Sequence, residues 1–522
     1  MKMKIGVLFF LILLLRTFSP TSAHCSSEEE EEEIQRSQFP DGFFFGTSTS
    51  AYQVEGAFLE DGKSLTNWDV FAHIPGNIIN NENGDVADDH YHRYMEDIEL
   101  LHSLGVNAYR FSISWSRILP RGISGDVNPE GIKFYNKLID HLIHRGIEPF
   151  VTIFHFEFPQ TLEDKYGAWL NPSMREEFVY FASICFKEFG ERVKYWVTLN
   201  EPNHWAEFAY NRGEYPPARC SPPFGNCSRG DSDTEPLVVM HNMLISHAMA
   251  AHLYRKCFQR KQGGFIGISV SSFMYEPLRD EEDDRLAASR ALAFNIAWAL
   301  DPLVHGDYPV EMRECIGLKL PKISTEEKKI LKGSIDFIGL NYYSTFYAKD
   351  CIHTPCSPKS QHPIKGFVET SVLRDGIPIG QPTGMESFFV VPRGMENIVE
   401  YIKHRYYNMM MFVTENGYAS PVQESEQALL QDLNRIKFHK GHLNALARTV
   451  RKGANVRGYF IWSLMDNFEW NMGYGIRFGL YYVERATLKR IPKLSATWFA
   501  TFLTGTNASG QSHHKGLFME SI

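Results

Sequence analysis

The stretch Val197-Thr-Leu-Asn-Glu-Pro-Asn203 decides the fold of this chain. Its apolar residues are typical of a buried strand, and that strand ends on a carboxylic acid between polar neighbours. Much further along, Met411-Phe-Val-Thr-Glu-Asn-Gly417 repeats this design and ends in Asn-Gly turn chemistry. Two strands therefore each deliver one glutamate, Glu201 and Glu415, to the end of a sheet.

Two carboxyl groups at the same end of one fold are what the cleavage of a glycosidic bond requires. One acid protonates the departing oxygen, and one carboxylate meets the cationic sugar carbon. Either glutamate alone is equally consistent with a residue that caps the following helix. The pair, together with polar residues at other strand ends, favours the catalytic interpretation.

Eight strand-like segments alternate with helix-like segments along the 522 residues. The strand candidates are Phe39–Gly46, Asn107–Ser114, Glu148–Phe154, Tyr195–Leu199, Phe265–Val270, Ile335–Leu340, Met411–Thr414 and Val456–Trp462. The helix candidates are His92–Leu104, Glu130–Arg145, Ser173–Gly190, Pro236–Arg260, Ser289–Leu300, Met395–Tyr406 and Glu424–Arg451. This alternation predicts an α/β fold, a single (β/α)8 TIM barrel with long βα loops, over residues 39–505.

Two other architectures fit less well. A doubly wound open sheet would place a glycine-rich phosphate turn after the first strand, and Gly46-Thr-Ser-Thr-Ser50 is not such a turn. Two domains would need a flexible linker. The stretch Cys351–Gly384 is rich in Pro, Gly and Ser, but strand and helix signals flank it, so we predict a long loop there.

The composition indicates a globular protein with a large core, since 43% of the residues are hydrophobic and 22% are charged. The formal net charge of -9 gives no reason to expect a nucleic-acid partner. Nothing in the sequence predicts the oligomeric state.

The two ends of the chain differ from the rest. Residues 1–23 have the charged, apolar and small-residue parts of a secretory signal peptide, with cleavage after Ala23. Residues 24–38 are predicted to be an acidic, disordered lead-in, and residues 506–522 a flexible tail. We therefore expect a protein of the secretory pathway, extracellular or in the cell wall or vacuole, with no membrane partner after cleavage.

Eight cysteines suit that compartment but are too sparse to form a scaffold. Short-range disulfides are expected across two loops, Cys220 with Cys227 and Cys351 with Cys356. Cys185 and Cys257 lie in helical patterns and are expected to be buried thiols. Asn226 and Asn507 fit the weak glycosylation pattern.

In a barrel of this kind, chemistry collects above the carboxyl ends of the strands, where the βα loops converge. Polar and aromatic residues lie at or beyond those ends in the order Gln53, Arg110, His155, Asn200, Glu201, Asn341, Tyr343, Glu415 and Trp462, followed by Asp466-Asn-Phe-Glu-Trp470. Amide, imidazole, phenol and carboxylate groups beside indoles match a sugar, which needs hydrogen bonds around its rim and apolar contact on its C–H face.

Five motifs carry a resemblance to a known family. They are Phe45-Gly-Thr-Ser-Thr-Ser-Ala-Tyr-Gln-Val-Glu-Gly56, Tyr109-Arg-Phe-Ser-Ile-Ser-Trp115, Thr198-Leu-Asn-Glu-Pro-Asn203, Thr414-Glu-Asn-Gly417 and Trp462-Ser-Leu-Met-Asp-Asn-Phe-Glu-Trp470. On these motifs the chain resembles the plant β-glucosidases of glycoside hydrolase family 1, from about Phe39 to Leu503. The resemblance implies a small-molecule β-glucoside substrate, a retaining mechanism with a covalent glucosyl-enzyme, and no cofactor.

The resemblance also implies a role for individual residues. Glu201 would be the acid/base and Glu415 the nucleophile, with Arg110 and Tyr343 favouring the charged form of Glu415. The implied glucose-binding residues are Gln53, His155, Asn200, Asn341, Trp462, Glu469, Trp470 and Phe478. The aglycone cleft is expected to include Trp205 and Ser387.

Departures from the family pattern concern specificity. Where the family usually has His-Trp-Asp, this chain has His155-Phe-Glu157, so Phe156 offers no indole N–H to the sugar. Ser387 stands five positions before Pro392, where an aglycone-platform tryptophan is common. The segments His155-Phe-Glu-Phe-Pro159 and Arg219-Cys-Ser-Pro-Pro-Phe-Gly-Asn-Cys227 are similar to the plant branch that hydrolyses monolignol glucosides such as coniferin.

Several other functions are weighed against this one. A β-glucosidase or transglucosidase for another plant glycoside, such as a flavonoid, hormone or oligosaccharide, would use the same covalent intermediate. A thioglucosidase would lack the acid, so Glu201 argues against it. A sugar-binding pseudoenzyme is disfavoured by the retained catalytic set. A metal site is not predicted, because His90 and His92 have no obvious third ligand at a strand end.

Overall fold

The structure is a computed structural model that describes residues 33–421 and 425–505. The predicted signal peptide, most of the acidic lead-in, the predicted tail and Asn507 lie outside the described residues. The described residues from Ile34 onward form one compact unit. Within them, we find no helix with both the length and the hydrophobicity needed to cross a membrane.

Eight parallel strands form a closed barrel. They are β1 (Phe44–Ser48), β2 (Ala108–Ser112), β3 (Glu148–Phe154), β4 (Tyr195–Asn200), β5 (Phe265–Pro277), β6 (Phe337–Asp350), β7 (Met411–Asn416) and β8 (Val456–Trp462). Each strand pairs in parallel with the next one along the chain, and β8 pairs in parallel with β1. The predicted (β/α)8 fold is confirmed, and the carboxyl ends of all eight strands meet at one face.

Aromatic rings fill the amino-terminal end of the barrel interior. The ring of Phe150 on β3 is the centre of this group, with centroid distances of 5.1 Å to Phe412, 5.1 Å to Phe460 and 5.5 Å to Phe337. Tyr195 stacks on the same ring at 5.2 Å. The four phenylalanines are at most 1% exposed. These buried rings form an aromatic plug that closes the amino-terminal end of the barrel, and the polar network of the site lies toward the opposite, carboxyl end.

Helices cover the outside of the barrel. The longer ones are His90–Leu104, Pro129–His144, Ser173–Phe189, Glu235–Cys257, Glu282–Leu292, Pro392–Arg405, Leu433–Arg451 and Leu494–Thr504. The shorter ones are Ala51–Val54, Asn67–Ala72, Trp115–Ile118, Gln160–Tyr166, Pro202–Glu207, Gln259–Gln262, Trp298–Val304, Val310–Ile316, Thr325–Leu331 and Glu426–Leu430. Local sequence explains where the helix Pro129–His144 begins. The Asn128 side chain accepts from Glu130 N–H, and Pro129 fills the first turn, where its missing N–H costs nothing.

Strands β5 and β6 continue beyond the barrel as a paired extension that ends near Pro277 and Ala348. Val368–Ser371 adds an antiparallel strand to it. Two small hairpins follow, Leu373–Arg374 with Ile377–Pro378 and Gln381–Pro382 with Phe389–Val390. The long loop predicted for this region is therefore present, but short strands order part of it.

The disulfides Cys220–Cys227 and Cys351–Cys356 are both present, as predicted. Asn226 is exposed inside the first of these loops, and its glycosylation stays a prediction. Cys185 is buried as expected, whereas Cys257 is exposed, so that prediction was wrong. Cys257 is the last residue of its helix, where helical spacing does not fix which side faces the core.

The compact unit begins earlier than predicted. Residues 34–38 of the expected disordered lead-in include a 3-10 turn at Arg36–Gln38. Ile34 is 5% exposed, and the Arg36 guanidinium lies 4.9 Å from the centre of the Phe45 ring. Apolar burial and a cation–π contact hold this segment. The prediction missed both because it was based on the acidic composition of the residues before it.

The aromatic plug predicts a large loss of stability for Phe150→Ala. Truncation of a fully buried ring leaves a cavity that its neighbours cannot fill, at a cost of about 3 to 5 kcal/mol in the free energy of unfolding. Urea denaturation followed by tryptophan fluorescence measures this. Leu318→Ala is the control, since Leu318 is 95% exposed, and we expect a change within about 0.5 kcal/mol. A loss for Phe150→Ala as small as that of the control would contradict a close-packed plug.

Candidate active site

Glu415 lies at the carboxyl end of β7, where two side chains from other strands hold it. Arg110 on β2 donates from Nη1 to Glu415 Oε1 at 2.5 Å. Tyr343 on β6 donates from its hydroxyl to Glu415 Oε2 at 2.8 Å. Arg110 is fully buried and the side chain of Glu415 is 6% exposed. The guanidinium on one oxygen and the hydroxyl donor on the other fix the position of the Glu415 carboxyl group.

Glu201 follows β4 directly and has a left-handed backbone, with φ 43° and ψ 56°. This region is unfavourable for a residue with a side chain, by roughly 1 to 3 kcal/mol. Two features hold it there. Glu201 N–H donates to the Ser269 carbonyl at 2.8 Å, and the next residue, Pro202, begins the helix Pro202–Glu207. The strand-to-helix junction thus fixes the direction of the Glu201 carboxyl group.

Two asparagine amides join the two glutamates into one network. Asn200 Oδ1 accepts from Arg110 Nη2 at 2.6 Å and from Asn341 Nδ2 at 3.1 Å. Asn341 Nδ2 also donates to Glu201 Oε1 at 3.0 Å. Residues predicted separately from β2, β4, β6 and β7 are therefore in direct contact.

The environment of Glu201 raises the pKa of its carboxyl group well above the usual range. Burial is the main cause, and the charge of Glu415 adds to it, while the Asn341 hydrogen bond and Arg110 act in the opposite direction. Glu201 therefore keeps its proton at pH values where an exposed glutamate is ionised. Burial and the Glu415 charge likewise raise the pKa of Tyr343, so its hydroxyl remains a donor. Glu201 therefore has a proton to give, and Glu415 accepts from a guanidinium and a hydroxyl, an arrangement that suits an acid and a nucleophile.

Gln53 and Glu469 form one side of the expected sugar rim. Gln53 Nε2 donates to the Phe468 carbonyl at 2.9 Å, to Asn467 at 3.0 Å and to Glu469 Oε2 at 3.3 Å. Burial, followed by the Glu415 charge, raises the pKa of Glu469 to about 8. A neutral Glu469 offers both a donor and an acceptor to sugar hydroxyls.

His155 packs against two indoles of the expected sugar rim. Its ring is nearly parallel to those of Trp462 and Trp470, at centroid distances of 5.8 and 6.0 Å. Burial, and then Arg110, lower the pKa of His155 well below its usual value, so the ring is neutral. Asn200 Nδ2 lies 3.1 Å from Nε2, which must then accept and leave the proton on Nδ1. Nδ1 is buried without a partner among the described residues, a donor that suits a sugar hydroxyl.

Phe478 lies beside Trp462 and Tyr343, and its contact with glucose stays a prediction from the resemblance. It packs with Trp462, and its ring centroid lies 5.9 Å from that of Tyr343 in an edge-on contact. Trp462 and Phe478 are each 3% exposed. The site therefore has polar groups on its rim and rings on its walls, as a sugar requires.

His204 is a residue that sequence reasoning missed. It comes three residues after Glu201, in the first turn of Pro202–Glu207, and its Nδ1 lies 3.9 Å from Glu201 Oε2. Its ring stacks on Phe208 at 4.0 Å. Burial lowers the pKa of His204 to about 4, so the ring is neutral beside the acid. The sequence did indicate this contact, because His204 follows Glu201 by three residues and residues three apart share a helix face.

Phe156 forms an aromatic wall beyond the acid. Its ring is nearly parallel to those of Trp205 and His204, at 5.4 and 5.9 Å, and tilted against Trp470 at 5.3 Å. Tyr215 lies 6.1 Å away on the same wall. Where the family pattern has an indole, this chain thus presents a ring without a hydrogen-bond donor.

The two residues expected in the aglycone cleft differ in their placement. Trp205 is 0% exposed and packs against Phe154 and Phe158 as well as Phe156. It supports the aromatic wall and offers no surface to an aglycone, so direct contact was the wrong expectation. Ser387 is exposed beside Phe388, whose ring stacks on Tyr343 at 5.3 Å.

One group among the described residues could offer three ligands to a metal, namely Asp283, Asp350 and His353. It lies on the helix Glu282–Leu292 and at the far end of β6. Asp350 already accepts from Arg290 and from two backbone N–H groups. This group shares no residue with the catalytic network. The expectation that the reaction needs no metal stays a prediction.

Comparison with known proteins gives consistent results. A family model described as glycosyl hydrolase family 1 matches residues 35–508. A probable inactive β-glucosidase 14 of Oryza sativa subsp. japonica is 54% identical over 91% of this chain and 92% of its own length. A coniferin β-glucosidase of Pinus contorta is 48% identical over 96% of this chain and 97% of its own length. A solved structure of a rice Os3BGlu6 β-glucosidase mutant in covalent complex with glucose has a TM-score of 0.87 and 43% identity, covering 90% of this chain and 99% of that one.

The raised pKa of Glu201 predicts that Glu201→Gln stabilises the protein at high pH. A raised pKa contributes stability that is fully present below about pH 4.3, the value for an unfolded glutamate, and is lost as the pH rises through the folded value. Glutamine avoids this loss of folding stability, which amounts to about 1.4 kcal/mol for each pH unit between the unfolded and the folded pKa of Glu201. Calorimetric melting temperatures from pH 4 to pH 9 measure the effect, and they should diverge from those of the native protein as the pH rises.

Glu415→Gln is the matched comparison. It leaves Arg110 buried without its carboxylate, and breaking a buried pair costs about 3 to 5 kcal/mol. We therefore expect a lower melting temperature than that of the native protein. Equal shifts in both variants, or a destabilised Glu201→Gln at pH 9, would contradict the electrostatic account.

Proposed function

The chain belongs to glycosyl hydrolase family 1 and is a plant-type β-glucosidase, and on that premise we propose that it hydrolyses β-glucosides of aryl and phenylpropanoid alcohols, such as coniferin, through a covalent glucosyl-enzyme. One observation carries the proposal. Glu415 accepts a hydrogen bond from Arg110 on one oxygen and from Tyr343 on the other, while burial raises the pKa of its neighbour Glu201, which therefore keeps its proton. A fixed nucleophile beside a proton donor is what the first step of a retaining hydrolysis needs.

In the first step, the Glu415 carboxylate attacks the anomeric carbon as the bond to the aglycone oxygen breaks. Glu201 gives its proton to that oxygen, and the alcohol departs. Arg110 and Tyr343 hold Glu415 in position for attack and, being fixed in advance, need no rearrangement during the reaction. The product is a glucosyl ester on Glu415.

In the second step, the roles of the carboxyl groups change. Esterified Glu415 carries no charge, so it no longer raises the pKa of Glu201, and Glu201 is left as a carboxylate. It takes a proton from a water molecule, whose oxygen attacks the anomeric carbon and releases Glu415. Two inversions at one carbon give retained configuration.

The surroundings of the acid support an aromatic aglycone. Phe156, His204, Phe208 and Tyr215 form a continuous wall, with ring centroids 4.0 to 6.1 Å apart between neighbours. Phe156 and Tyr215 are buried, whereas His204 and Phe208 are partly exposed. A flat phenylpropanoid ring can therefore stack at His204 and Phe208, and a contact of this type is worth about 0.5 to 1.5 kcal/mol beyond its buried area. The similarity to the pine coniferin β-glucosidase supports the same substrate class.

A non-catalytic sugar-binding role is the second candidate. One observation favours it, since the 54% identical rice relative bears the name probable inactive. This chain retains both carboxyl groups together with their hydrogen-bond partners. A protein that only binds sugar has no use for a proton donor beside a fixed nucleophile. Transfer of glucose to an alcohol instead of water would use the same intermediate.

We propose the secretory pathway as the route of this protein, with the cell wall, another extracellular site or the vacuole as its destination. The disulfides Cys220–Cys227 and Cys351–Cys356 support an oxidising compartment.

The substrate proposal predicts a ranking of kcat/KM across β-glucosides. We expect coniferin and syringin to exceed cellobiose by at least about tenfold, because the aromatic wall contributes only when the aglycone has a ring. A flavonoid glucoside and a nitrophenyl glucoside complete the panel, and NMR of the first product should show β-glucose. Turnover of the nitrophenyl reporter alone would contradict the phenylpropanoid assignment, and binding of glucose without turnover of any substrate would favour the non-catalytic candidate.

Ser387→Trp is the matched variant for this panel. It adds an indole at an exposed position beside Phe388 without touching the glucose site. We therefore expect a changed aglycone ranking with little change in inhibition by glucose.

A further inference from the structure

A second cleft of about 730 Å³ lies apart from the catalytic residues. The helices Glu282–Leu292 and Val310–Ile316 and the segment from Cys351 to Phe367 surround it. None of the residues that line it belongs to the catalytic network or the sugar rim. Its volume suits an organic molecule of the size that protein pockets usually bind.

One wall of this second cleft is apolar. Leu286, Ile352 and Phe367 line it, together with the disulfide-bonded Cys351. Leu286 is 48% exposed and Ile352 is 52% exposed, so both present apolar surface at the mouth. A ligand with an apolar body would remove that surface from water.

The helix Val310–Ile316 gives the cleft a negatively charged wall. Glu311 and Glu314 both line the cleft, and neither forms an ion pair within the described part of the chain. Glu311 Oε2 is a buried oxygen that has no hydrogen-bond partner among the described residues. A buried, unpaired carboxylate oxygen is costly unless a donor or cation satisfies it.

The one basic residue in the lining is already engaged. Arg290 Nη2 pairs with Asp350, and Arg290 Nε donates to the Gly366 carbonyl at 3.0 Å. It is therefore not available to an anionic ligand, and the free charge of the cleft is that of its two glutamates. This arrangement disfavours carboxylates and phosphates, which would meet two glutamates and no free basic residue of the lining.

From these observations we infer that the second cleft binds an organic cation with an apolar body, of the aromatic amine class. The ammonium group donates to Glu311 at the negative wall, and the apolar body covers Leu286, Ile352 and Phe367. This inference is independent of the proposed function, because it involves no catalytic residue.

Cys315 provides a local reporter of occupancy. It is a free, half-buried thiol in the lining of the cleft, whereas the free thiol of Cys257 is exposed elsewhere and serves as an internal control. Alkylation by N-ethylmaleimide without reductant, followed by peptide mapping, gives the rate at each thiol separately. A ligand in the catalytic pocket does not cover Cys315, so the readout is specific to this cleft.

Three probes with the same phenylethyl body separate charge from apolar contact: phenethylamine, 2-phenylethanol and 3-phenylpropanoate. We expect phenethylamine to slow alkylation of Cys315 at least about fivefold at saturation, with Cys257 unchanged. The neutral alcohol should need about a tenfold higher concentration, since a tenfold difference corresponds to one modest charge contact. The anion should give no protection. Equal protection by all three probes, or slowing at Cys257 as well, would overturn the inference.

Glu311→Gln tests the anchoring contact. We expect the phenethylamine concentration for half protection to rise about tenfold, with the melting temperature unchanged. Glu326→Gln, on the helix Thr325–Leu331 outside the cleft, should behave as the native protein. Unchanged protection in Glu311→Gln would refute the anchor. Should that variant not fold, Glu314→Gln removes the other charge of the same wall and must weaken protection for the inference to stand.

Discussion

The rest of the site depends on one buried ion pair, that of Arg110 with Glu415. Burial of two charges costs several kcal/mol per ion, and the attraction between them offsets this only when the remaining donors also find partners. Arg110 meets that condition on both terminal nitrogens, since Glu415 accepts from one and Asn200 from the other, whereas its buried Nε has no hydrogen-bond partner among the described residues. Because the three residues belong to β7, β2 and β4, the pair fixes the carboxyl ends of these strands relative to one another. The aromatic plug closes the barrel below the pair.

The properties of the acid follow from that constraint. Burial, and then the charge of Glu415, raise the pKa of Glu201. In the proposed mechanism that charge disappears when Glu415 becomes an ester, so the same event would create the intermediate and convert the acid into a base. The left-handed backbone of Glu201 directs its carboxyl group into the network. Asn341, which contacts both Asn200 and Glu201, connects the two halves of the mechanism.

Sequence could predict those features that are local to a strand and its end. The eight strands, the two glutamates, the residues around them and the two disulfides come from short patterns, and the structure brings them together. It could not predict features that depend on packing between distant segments. The helical pattern around Trp205 does not reveal that Phe154, Phe156 and Phe158 would enclose its ring. Packing between distant segments also determines the exposure of Cys257, the order of residues 34–38 and the extension of β5 and β6. His204 differs, because its spacing from Glu201 was readable and was overlooked.

The most direct test of this account is to identify the residue that carries the glucosyl group. A 2-deoxy-2-fluoroglucoside with an activated leaving group slows the second step, so the intermediate accumulates and intact-protein mass spectrometry can detect it. The account predicts one fluoroglucosyl group per chain, on Glu415 after peptide mapping, with no adduct in Glu415→Gln. An adduct on another residue, or turnover of the reagent without any adduct, would contradict the assignment of Glu415 as the nucleophile held by Arg110.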